Sequence, residues 1–283
     1  MTQTKEKNAT LRGALYLVAT PIGNLDDITL RALKVLRECD FVAAEDTRVT
    51  SKLLSHFEIS KPIVIYQKFN VREAGNEIVS RLREGLTCAL VTDAGTPGIS
   101  DPGQEVAALC VSEDIPVVSI PGPCACIAAL TSSGFPTDGF VFLGFPGVKR
   151  SELEKNLSPL ACERRTAVLY EAPHRLKKTL EAMRDILGGD RKIALCRELT
   201  KLNEEIIRTD VSGALEKYSS SEPRGEYVIV VRGAGQSERF WENMSVREHY
   251  DFYLKTGFER MDALKQVARD RGVSKNEIYK AML

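Results

Sequence analysis

The sequence predicts an α/β protein built from two α/β domains and a small helical tail. Three features of the first 123 residues lead to this prediction: strand-like and helix-like segments alternate, the strand-like segments are apolar throughout, and polar or glycine-rich turns follow them. Strands without polar alternation are typical of a parallel sheet that helices cover on both faces. Right-handed crossovers connect such strands. The N-terminal domain is therefore predicted to contain a mainly parallel sheet.

Strand-like and helical segments follow one another regularly in this N-terminal part. Leu30, Leu33 and Leu36 recur on one face of the first helical segment, and later helical segments show apolar residues at the same spacing. The short apolar runs between them have the length of buried strands. The predicted strands are residues 14–19, 41–44, 62–66, 87–92 and 117–120, and the predicted helices include residues 30–36, 53–57, 73–84 and 104–113.

Polar or glycine-rich turns follow four of these strands, which places the turns at the carboxyl edge of one sheet. Ligands of open α/β sheets bind at that edge. The most informative turn starts at Asp93, where an apolar strand ends, and residues 91–103 include three glycines and two prolines. Gly95 and Gly98 allow the main chain to approach a ligand closely, although a plain strand-to-helix turn is the alternative interpretation. The four turns are residues 20–24, 45–48, 93–100 and 121–123.

The second part of the chain predicts a different kind of sheet. It contains five strand-like segments but only two helical ones, and only residues 199–204 separate its third and fourth strands. Such close spacing indicates an antiparallel hairpin, so we expect a mixed sheet in the second domain. The predicted strands are residues 140–145, 166–171, 192–198, 205–209 and 226–231, and the predicted helices are residues 151–157 and 174–187.

The end of the chain is predicted to form a linker and a helical tail. Residues 261–271 show an amphipathic pattern that Gly272 ends, and Ser274 with Glu277 matches a capping box. A helix-turn-helix that contacts nucleic acid is one interpretation. A helical pair that packs on the body or on a second subunit is favoured, because such pairs are common without a nucleic-acid function. The predicted domains are residues 1–123, 124–234 and 235–283.

Composition and charge restrict the class of protein. The chain has 283 residues, 43% of them hydrophobic, and its 39 basic side chains balance 39 acidic ones. A neutral chain has no overall positive field, so a polyanionic substrate would need a local basic surface. Seven cysteines without C-x-x-C spacing are typical of buried residues in a reducing compartment. Because no signal peptide and no apolar run of about twenty residues is present, we expect a cytoplasmic protein without a membrane anchor.

Several common catalytic motifs are missing from the sequence. It contains no P-loop, no H-E-x-x-H, no G-x-S-x-G, and no histidine or cysteine group with metal-ligand spacing. What is left is a predicted cleft lined with backbone amides, hydroxyl groups and a few acids. Such a cleft suits a zwitterionic or nucleoside-like ligand, so no metal is predicted.

Seven motifs together show a resemblance to a known family. They are L-V-A-T-P-I-G-N-L-D-D-I-T-L-R-A, A-E-D-T-R, V-T-D-A-G-T-P-G-I-S-D-P-G, I-P-G-P, Y-E-A-P-H-R, R-E-L-T-K and G-E-Y-V-I-V-V. Over about residues 15–231 the chain resembles the ribosomal small-subunit RNA 2′-O-methyltransferase I group of the tetrapyrrole (class III) methylase superfamily. D-A-G-T-P-G and I-P-G-P are shared across the superfamily, whereas A-E-D-T-R and Y-E-A-P-H-R are specific to the group.

This resemblance implies a homodimeric enzyme that binds S-adenosylmethionine in a cleft between two α/β domains, without a metal. The implied reaction is methylation of the ribose 2′-hydroxyl of a cytidine in the decoding region of 16S rRNA. The neutral net charge favours an assembled 30S subunit as the substrate, since ribosomal proteins could share the docking. The cofactor-binding residues of the superfamily correspond to Pro21, Gly23, Asp93, Ala94, Gly95, Thr96, Pro97, Gly98, Ile99, Ser100, Pro121 and Gly122.

Polar side chains at the predicted cleft are candidates for the chemistry. Methyl transfer from a sulfonium requires alignment of oxygen, methyl and sulfur and removal of the hydroxyl proton. Helix capping, or an ion pair such as Glu45 with Arg48, is an equally weighted alternative for the acids. The candidate proton acceptors or orienting groups are Glu45, Asp46, Glu171 and His174, and the candidate phosphate or ribose contacts are Arg48 and Arg175.

Pairs of neighbouring basic residues are a further candidate for RNA contact. Four such pairs occur in the second domain, at residues 149–150, 164–165, 177–178 and 191–192. A solvated face is the favoured interpretation for most of them, and a grip on RNA is the alternative.

Two other functions remain open from the sequence. A small-molecule methyltransferase acting on a tetrapyrrole of the precorrin or uroporphyrinogen type would use the same fold. A noncatalytic ligand-binding or ribosome-associated module would keep the fold without the reaction.

Overall fold

The computed structural model describes residues 10–235, 241 and 244–282 of the chain. The described part divides into two compact units. The N-terminal unit extends to Ala128 and also includes Glu198–Glu204, and the C-terminal unit comprises Ala129–Arg197 and the chain from Glu205 onward. The three-part division at residues 123 and 234 stays a prediction.

A parallel sheet flanked by helices forms the N-terminal unit. Its strands are β1 (Leu15–Val18), β2 (Phe41–Ala44), β3 (Ile63–Ile65), β4 (Cys88–Val91) and β5 (Val117–Ile120). Its helices are α1 (Leu30–Glu38), α2 (Thr47–His56), α3 (Val71–Arg83) and α4 (Gln104–Ser112), and the chain passes to the C-terminal unit within α5 (Ala125–Ser133). The strand order is β3-β2-β4-β1-β5, and all neighbouring pairs are parallel. The predicted parallel sheet is confirmed.

The two faces of this sheet are both buried, which explains why its strands lack polar alternation. Successive side chains of a strand point to opposite faces. Leu15 packs with Ile78 and Leu90 in one apolar core, and the next residue, Tyr16, packs with Val35 in the other. The central strand β4 is buried along its whole length. The loop that leaves β4 therefore starts at the centre of the sheet, with two strands on either side.

The C-terminal unit contains the predicted mixed sheet. Its strands are β6 (Phe140–Gly144), β7 (Thr166–Glu171), β8 (Lys192–Arg197), β9 (Glu205–Asp210) and β10 (Tyr227–Val231). Its helices before the tail are α6 (Arg150–Leu157), α7 (Pro173–Leu187) and α8 (Val211–Lys217). In the order β6-β7-β10-β8-β9, only β6 and β7 are parallel neighbours. β8 and β9 pair as the antiparallel hairpin that their spacing predicted.

Three helices form the tail: α9 (Val246–Lys255), α10 (Arg260–Arg271) and α11 (Lys275–Met282). The predicted capping box of the last helix is present, since Ser274 N donates to Glu277 Oε2 (2.8 Å) and Glu277 N donates to Ser274 Oγ (3.3 Å). Helix α9 was not predicted, although Ser245 and Glu248 form a capping box of the same kind at its start. Of the described helices, none combines the length and apolarity needed to cross a membrane.

Burial in the apolar core of the C-terminal unit predicts how much a leucine there contributes to the free energy of unfolding. Leu169 lies in β7 and is fully buried, whereas Leu202 is fully exposed. We expect Leu169→Ala to lower the free energy of unfolding by about 2 to 5 kcal/mol, because the shortened side chain leaves a cavity. The control, Leu202→Ala, should change it by less than about 0.5 kcal/mol. Urea unfolding followed by circular dichroism measures both, and equal effects would contradict the assigned burial.

Candidate functional site

The loop that follows β4 is hydrogen-bonded to the loops that follow β1 and β5. Thr20 N donates to Gly95 O (2.9 Å) and Gly95 N donates to Thr20 O (3.0 Å), which forms a short antiparallel bridge. Thr96 Oγ1 donates to Pro123 O (3.0 Å). Three of the turns predicted at the carboxyl edge are therefore joined through residues 95 and 96.

Glycine is required at two positions of these loops for steric reasons. Gly95 has a φ of +87°, a region that side chains with a Cβ rarely adopt, and an added Cβ would lie 3.4 Å from Ile22 Cγ2. At Gly122 an added Cβ would lie 2.8 Å from the Cβ of Ala19, closer than two carbons can pack. Glycine at both positions lets the chain ends that follow β1, β4 and β5 pack closely against one another.

The predicted cofactor residues divide into buried ones, which hold the loops in place, and ones that are accessible to solvent. Pro21, Gly95 and Pro97 are buried and anchor the loops. The other positions are accessible to solvent, and this set suits a ligand that lies against backbone rather than inside a closed cavity. They are Gly23, Asp93, Ala94, Thr96, Gly98, Ile99, Ser100, Pro121 and Gly122.

A further wall of this surface was missed by sequence reasoning. The tip of the β8–β9 hairpin belongs to the N-terminal unit and packs on the loop after β1. A Cβ on Gly23 would lie 2.9 Å from Thr200 Oγ1 and would overlap the side chain of Lys201. Lys201 is itself held by an ion pair with Glu198 (2.9 Å). The R-E-L-T-K motif was the available signal, but periodicity cannot show where a hairpin tip packs.

The loop after β2 carries three of the candidate catalytic residues. Asp46 caps α2, and its carboxylate pairs with the guanidinium of Arg48 at 3.0 and 2.6 Å. This hydrogen bonding lowers the pKa of Asp46 to about 2. Asp46 N also donates to Asp93 Oδ1 (3.1 Å), so the loops after β2 and β4 are connected. Arg48 pairs with Asp46 and not with Glu45, the acid that the alternative interpretation gave it as a partner.

Glu45 lies beside further acids rather than beside a base. Burial first, and then the charges of Asp93 and Asp46, raise the pKa of Glu45 above its ordinary value. Burial, followed by the charges of Glu45 and Asp93, raises the pKa of Asp101 to about 6. Asp101 was not among the predicted site residues, although it is the second acid of the loop that starts at Asp93. Glu45 and Asp101 therefore hold protons more readily than isolated carboxylates do.

The remaining candidates, Glu171, His174 and Arg175, lie in the C-terminal unit. Glu171 ends β7 and is buried, with only 2% of its surface exposed. It accepts hydrogen bonds from Ala172 N (2.9 Å) and Thr179 Oγ1 (2.6 Å), and its Oε1 lies 2.9 Å from Arg175 Nε. A carboxylate this fully engaged orients its neighbours rather than exchanging protons with a ligand. His174 is exposed in the first turn of α7.

Most of the paired basic residues are neutralised or structural. Lys177 pairs with Glu222 and Lys192 pairs with Asp210, whereas Arg191 is buried and donates to the carbonyls of residues 160, 161 and 232. Arg150 and Arg165 also pair with nearby acids. The solvated-face interpretation therefore fits most of these residues, and Arg191 belongs to the fold.

Comparison with known proteins places these features in a family. The family model described as Tetrapyrrole (Corrin/Porphyrin) Methylases matches residues 14–214. The chain is 44% identical over 272 residues to Ribosomal RNA small subunit methyltransferase I of Halalkalibacterium halodurans, covering 95% of this chain and 94% of that protein. The chain belongs to the ribosomal RNA small subunit methyltransferase I group of the tetrapyrrole methylases. The protein of the same name from Bacillus subtilis is 43% identical, with 95% and 94% coverage.

Two solved structures share the fold of this chain. Uroporphyrin-III-C-methyltransferase from Thermus thermophilus superposes with a TM-score of 0.56 at 22% identity, covering 77% of this chain and 94% of that one. Diphthine synthase superposes with a TM-score of 0.58 at 15% identity, covering 77% and 90%. The predicted fold class is thus confirmed, and the resemblance to the group seen in the sequence is confirmed as well.

The raised pKa of Asp101 makes stability depend on pH. The folded protein keeps this proton up to about pH 6, whereas the unfolded chain releases it near the ordinary value of 3.8. The free energy of unfolding contributed by Asp101 therefore falls as pH rises from about 4 to about 6. Because Asp101→Asn removes the titration, the variant should be more stable than the wild type above pH 6, by at most about 2 kcal/mol after allowance for solvent screening.

Urea unfolding of both proteins at a series of pH values from 3.5 to 7.5 measures this difference. The control is Asp138→Asn, which changes an exposed loop aspartate. Its effect should not vary across the series. A constant difference between wild type and Asp101→Asn would show that Asp101 does not titrate in this window.

Proposed function

We propose that the protein transfers the methyl group of S-adenosylmethionine to the ribose 2′-hydroxyl of a cytidine in the decoding region of 16S rRNA. The observation that carries the proposal is the surface of three connected loops at the carboxyl edge of the parallel sheet, joined through Gly95 and Thr96. Relatives of more than 40% identity that are named for methylation of ribosomal RNA support the substrate class. The choice of the ribose 2′-oxygen and of a cytidine as the target is based on the resemblance of the motifs to the family.

The residues of the three loops fit S-adenosylmethionine as a ligand. Accessible backbone at Gly98 and Gly122 lets the adenosine or methionine part lie against main-chain groups, and Asp93 offers a carboxylate to a hydroxyl or ammonium group. When bound, S-adenosylmethionine supplies a methyl group on a positively charged sulfur. The hairpin tip at Lys201, together with Pro21, completes the wall of the proposed site.

Glu45 is the residue of the site best suited to take the hydroxyl proton. Its raised pKa makes it a stronger base than an ordinary carboxylate. Asp46 holds Arg48, whose side chain is 85% exposed and carries a cation that can contact a phosphate. Glu171 positions Arg175, and His174 is accessible for a further contact with the substrate.

The proposed substrate is an assembled 30S subunit, and the proposed active form is a homodimer. The balanced charge of 39 basic and 39 acidic residues supports the 30S subunit as the substrate, because the chain alone offers little attraction to naked RNA. Four of the eight residues in the basic pairs of the C-terminal unit are held in ion pairs, which points the same way. Docking would then be shared with ribosomal proteins. The homodimer is proposed from the resemblance of the motifs.

Tritium-labelled methyl transfer from S-adenosylmethionine tests the substrate. The acceptors compared are 30S subunits lacking the modification, naked 16S rRNA and a uroporphyrinogen. We expect label in the 30S subunits at one cytidine and in a form resistant to alkaline cleavage at that nucleotide, because a 2′-O-methyl group removes the attacking hydroxyl. Label in the uroporphyrinogen alone would favour the small-molecule alternative, and no transfer to any acceptor would favour a noncatalytic module.

A glycine variant tests the placement of the cofactor. Gly95→Val places a side chain against Ile22 and should displace the loops that form the surface, so we expect the affinity for S-adenosylmethionine to fall at least about tenfold. Gly85 has the same φ of +87° but no atom within 4 Å of an added Cβ, so Gly85→Val is a matched control for backbone strain. Titration calorimetry on both folded variants measures the affinity. Equal affinities would refute the placement.

A further inference from the structure

An exposed aromatic cluster lies at the carboxyl edge of β6 and β7. Phe145 follows β6 directly, and its ring contacts the ring of Tyr170 in an edge-on arrangement with centroids 5.7 Å apart. Tyr170 contacts Phe142 in the same way at 5.0 Å. Tyr170 thus contacts both phenylalanine rings, and Phe145 remains 49% exposed. A supported but half-exposed phenyl ring offers a flat surface to a ligand.

The loop that carries this ring, residues 145–149, is rigidly held. Glu152 accepts hydrogen bonds from Val148 N (2.9 Å) and Lys149 N (3.2 Å), and the side-chain amide of Asn156 donates to a further carbonyl of the loop (2.8 Å). Val148 is nevertheless 63% exposed. The backbone is thus fixed while apolar and basic side chains face solvent, so little conformational entropy is lost when a ligand binds.

A cation is fixed over the same ring. The guanidinium of Arg175 lies 5.4 Å from the centroid of Phe145, within the range of a cation–π interaction. Its Nε is paired with the buried carboxylate of Glu171. The two terminal nitrogens of Arg175 make no hydrogen bond to any residue in the described ranges. Lys178 is exposed one helical turn further along α7, and Lys149 is exposed in the loop.

We infer that Phe145 and Arg175 form a stacking site for one unpaired base of the RNA substrate, with Lys149 and Lys178 near the flanking phosphates. The inference rests on the proposed function for the identity of the RNA. Proteins bind unpaired bases by stacking them on aromatic rings or on guanidinium planes beside basic groups. The charge beside the ring favours RNA as the occupant, because the Arg175 guanidinium and the exposed Lys149 and Lys178 complement the phosphates that flank an unpaired base.

Glu171 acts in this site as a positioning residue. It cannot reach a ligand, because it is buried and its oxygens are taken by Ala172, Thr179 and Arg175. Its role is to keep the guanidinium over the ring. In Y-E-A-P-H-R, Glu171 is the last residue of β7 and Arg175 lies in the first turn of α7, so the turn between the strand and the helix brings the carboxylate and the guanidinium together.

Two substitutions at one position separate stacking from simple apolar contact. Phe145→Leu keeps apolar volume but removes the ring, and Phe145→Trp keeps a ring. The KM for unmodified 30S subunits should rise about tenfold in Phe145→Leu, within the range of one base–aromatic stack, and should stay within about twofold of the wild type in Phe145→Trp. The Kd for S-adenosylmethionine should not change. Phe140, exposed at the opposite end of β6, provides the control Phe140→Leu.

A binding assay independent of methylation keeps this inference distinct from the proposed function. A single-stranded RNA oligonucleotide containing 2-aminopurine loses fluorescence when that base stacks. The wild type and Phe145→Trp should quench it, and Phe145→Leu should not. Arg175→Ala should weaken binding and reduce the slope of log affinity against log salt concentration by about 0.7, the value for one phosphate contact to a single strand.

The two assays together distinguish failure of the stacking site from failure of the proposed function. If the wild type methylates 30S subunits while quenching and KM are indifferent to residue 145, the stacking site is wrong and the proposed function stands. Quenching that depends on Phe145 without methylation of any rRNA would leave the stacking site and remove the proposed function. Equal loss in Phe145→Leu and Phe145→Trp would mean that a shaped protein contact, not a base, covers the ring.

Discussion

The candidate site depends on one loop, the segment that leaves the central strand β4. Main-chain hydrogen bonds tie it to the loop after β1, the Thr96 hydroxyl ties it to the loop after β5, and the Asp93 carboxylate ties it to the loop after β2. Each of these bonds satisfies a polar group of the loops and also fixes the distance between neighbouring loops. A surface made of bare backbone needs such mutual support, because it has few side chains of its own to pack.

The acids of the candidate site fall into two groups whose pKa values are shifted in opposite directions. In the loop after β2, Asp46 is fully ionised by its pairing with Arg48. Close by along the sheet edge, Glu45 and Asp101 hold protons more tightly because burial and neighbouring carboxylates oppose their ionisation. One set of acids thus holds a cation in place, while the other binds protons more readily than isolated carboxylates do.

The C-terminal unit uses a buried acid for a different purpose. Glu171 makes no accessible contact, but it fixes Arg175 over the ring of Phe145. A free arginine side chain samples many rotamers, so its pairing with a buried carboxylate reduces the entropy that binding would otherwise cost. The motif Y-E-A-P-H-R therefore contains Glu171, which positions the arginine, and Arg175, whose guanidinium can contact a ligand.

The local sequence was sufficient to predict the strands and helices and to identify the candidate ligand-binding loops. The contacts and the pKa values of the side chains were determined by packing between distant parts of the chain. Apolar runs and helical spacing predicted the parallel sheet, the mixed sheet, the hairpin and the final capping box, because these features depend on residues close in the chain. The packing of Lys201 on Gly23 and the raised pKa of Asp101 could not be predicted. They arise from contacts between residues distant in sequence, whose burial and mutual charge only the folded chain establishes.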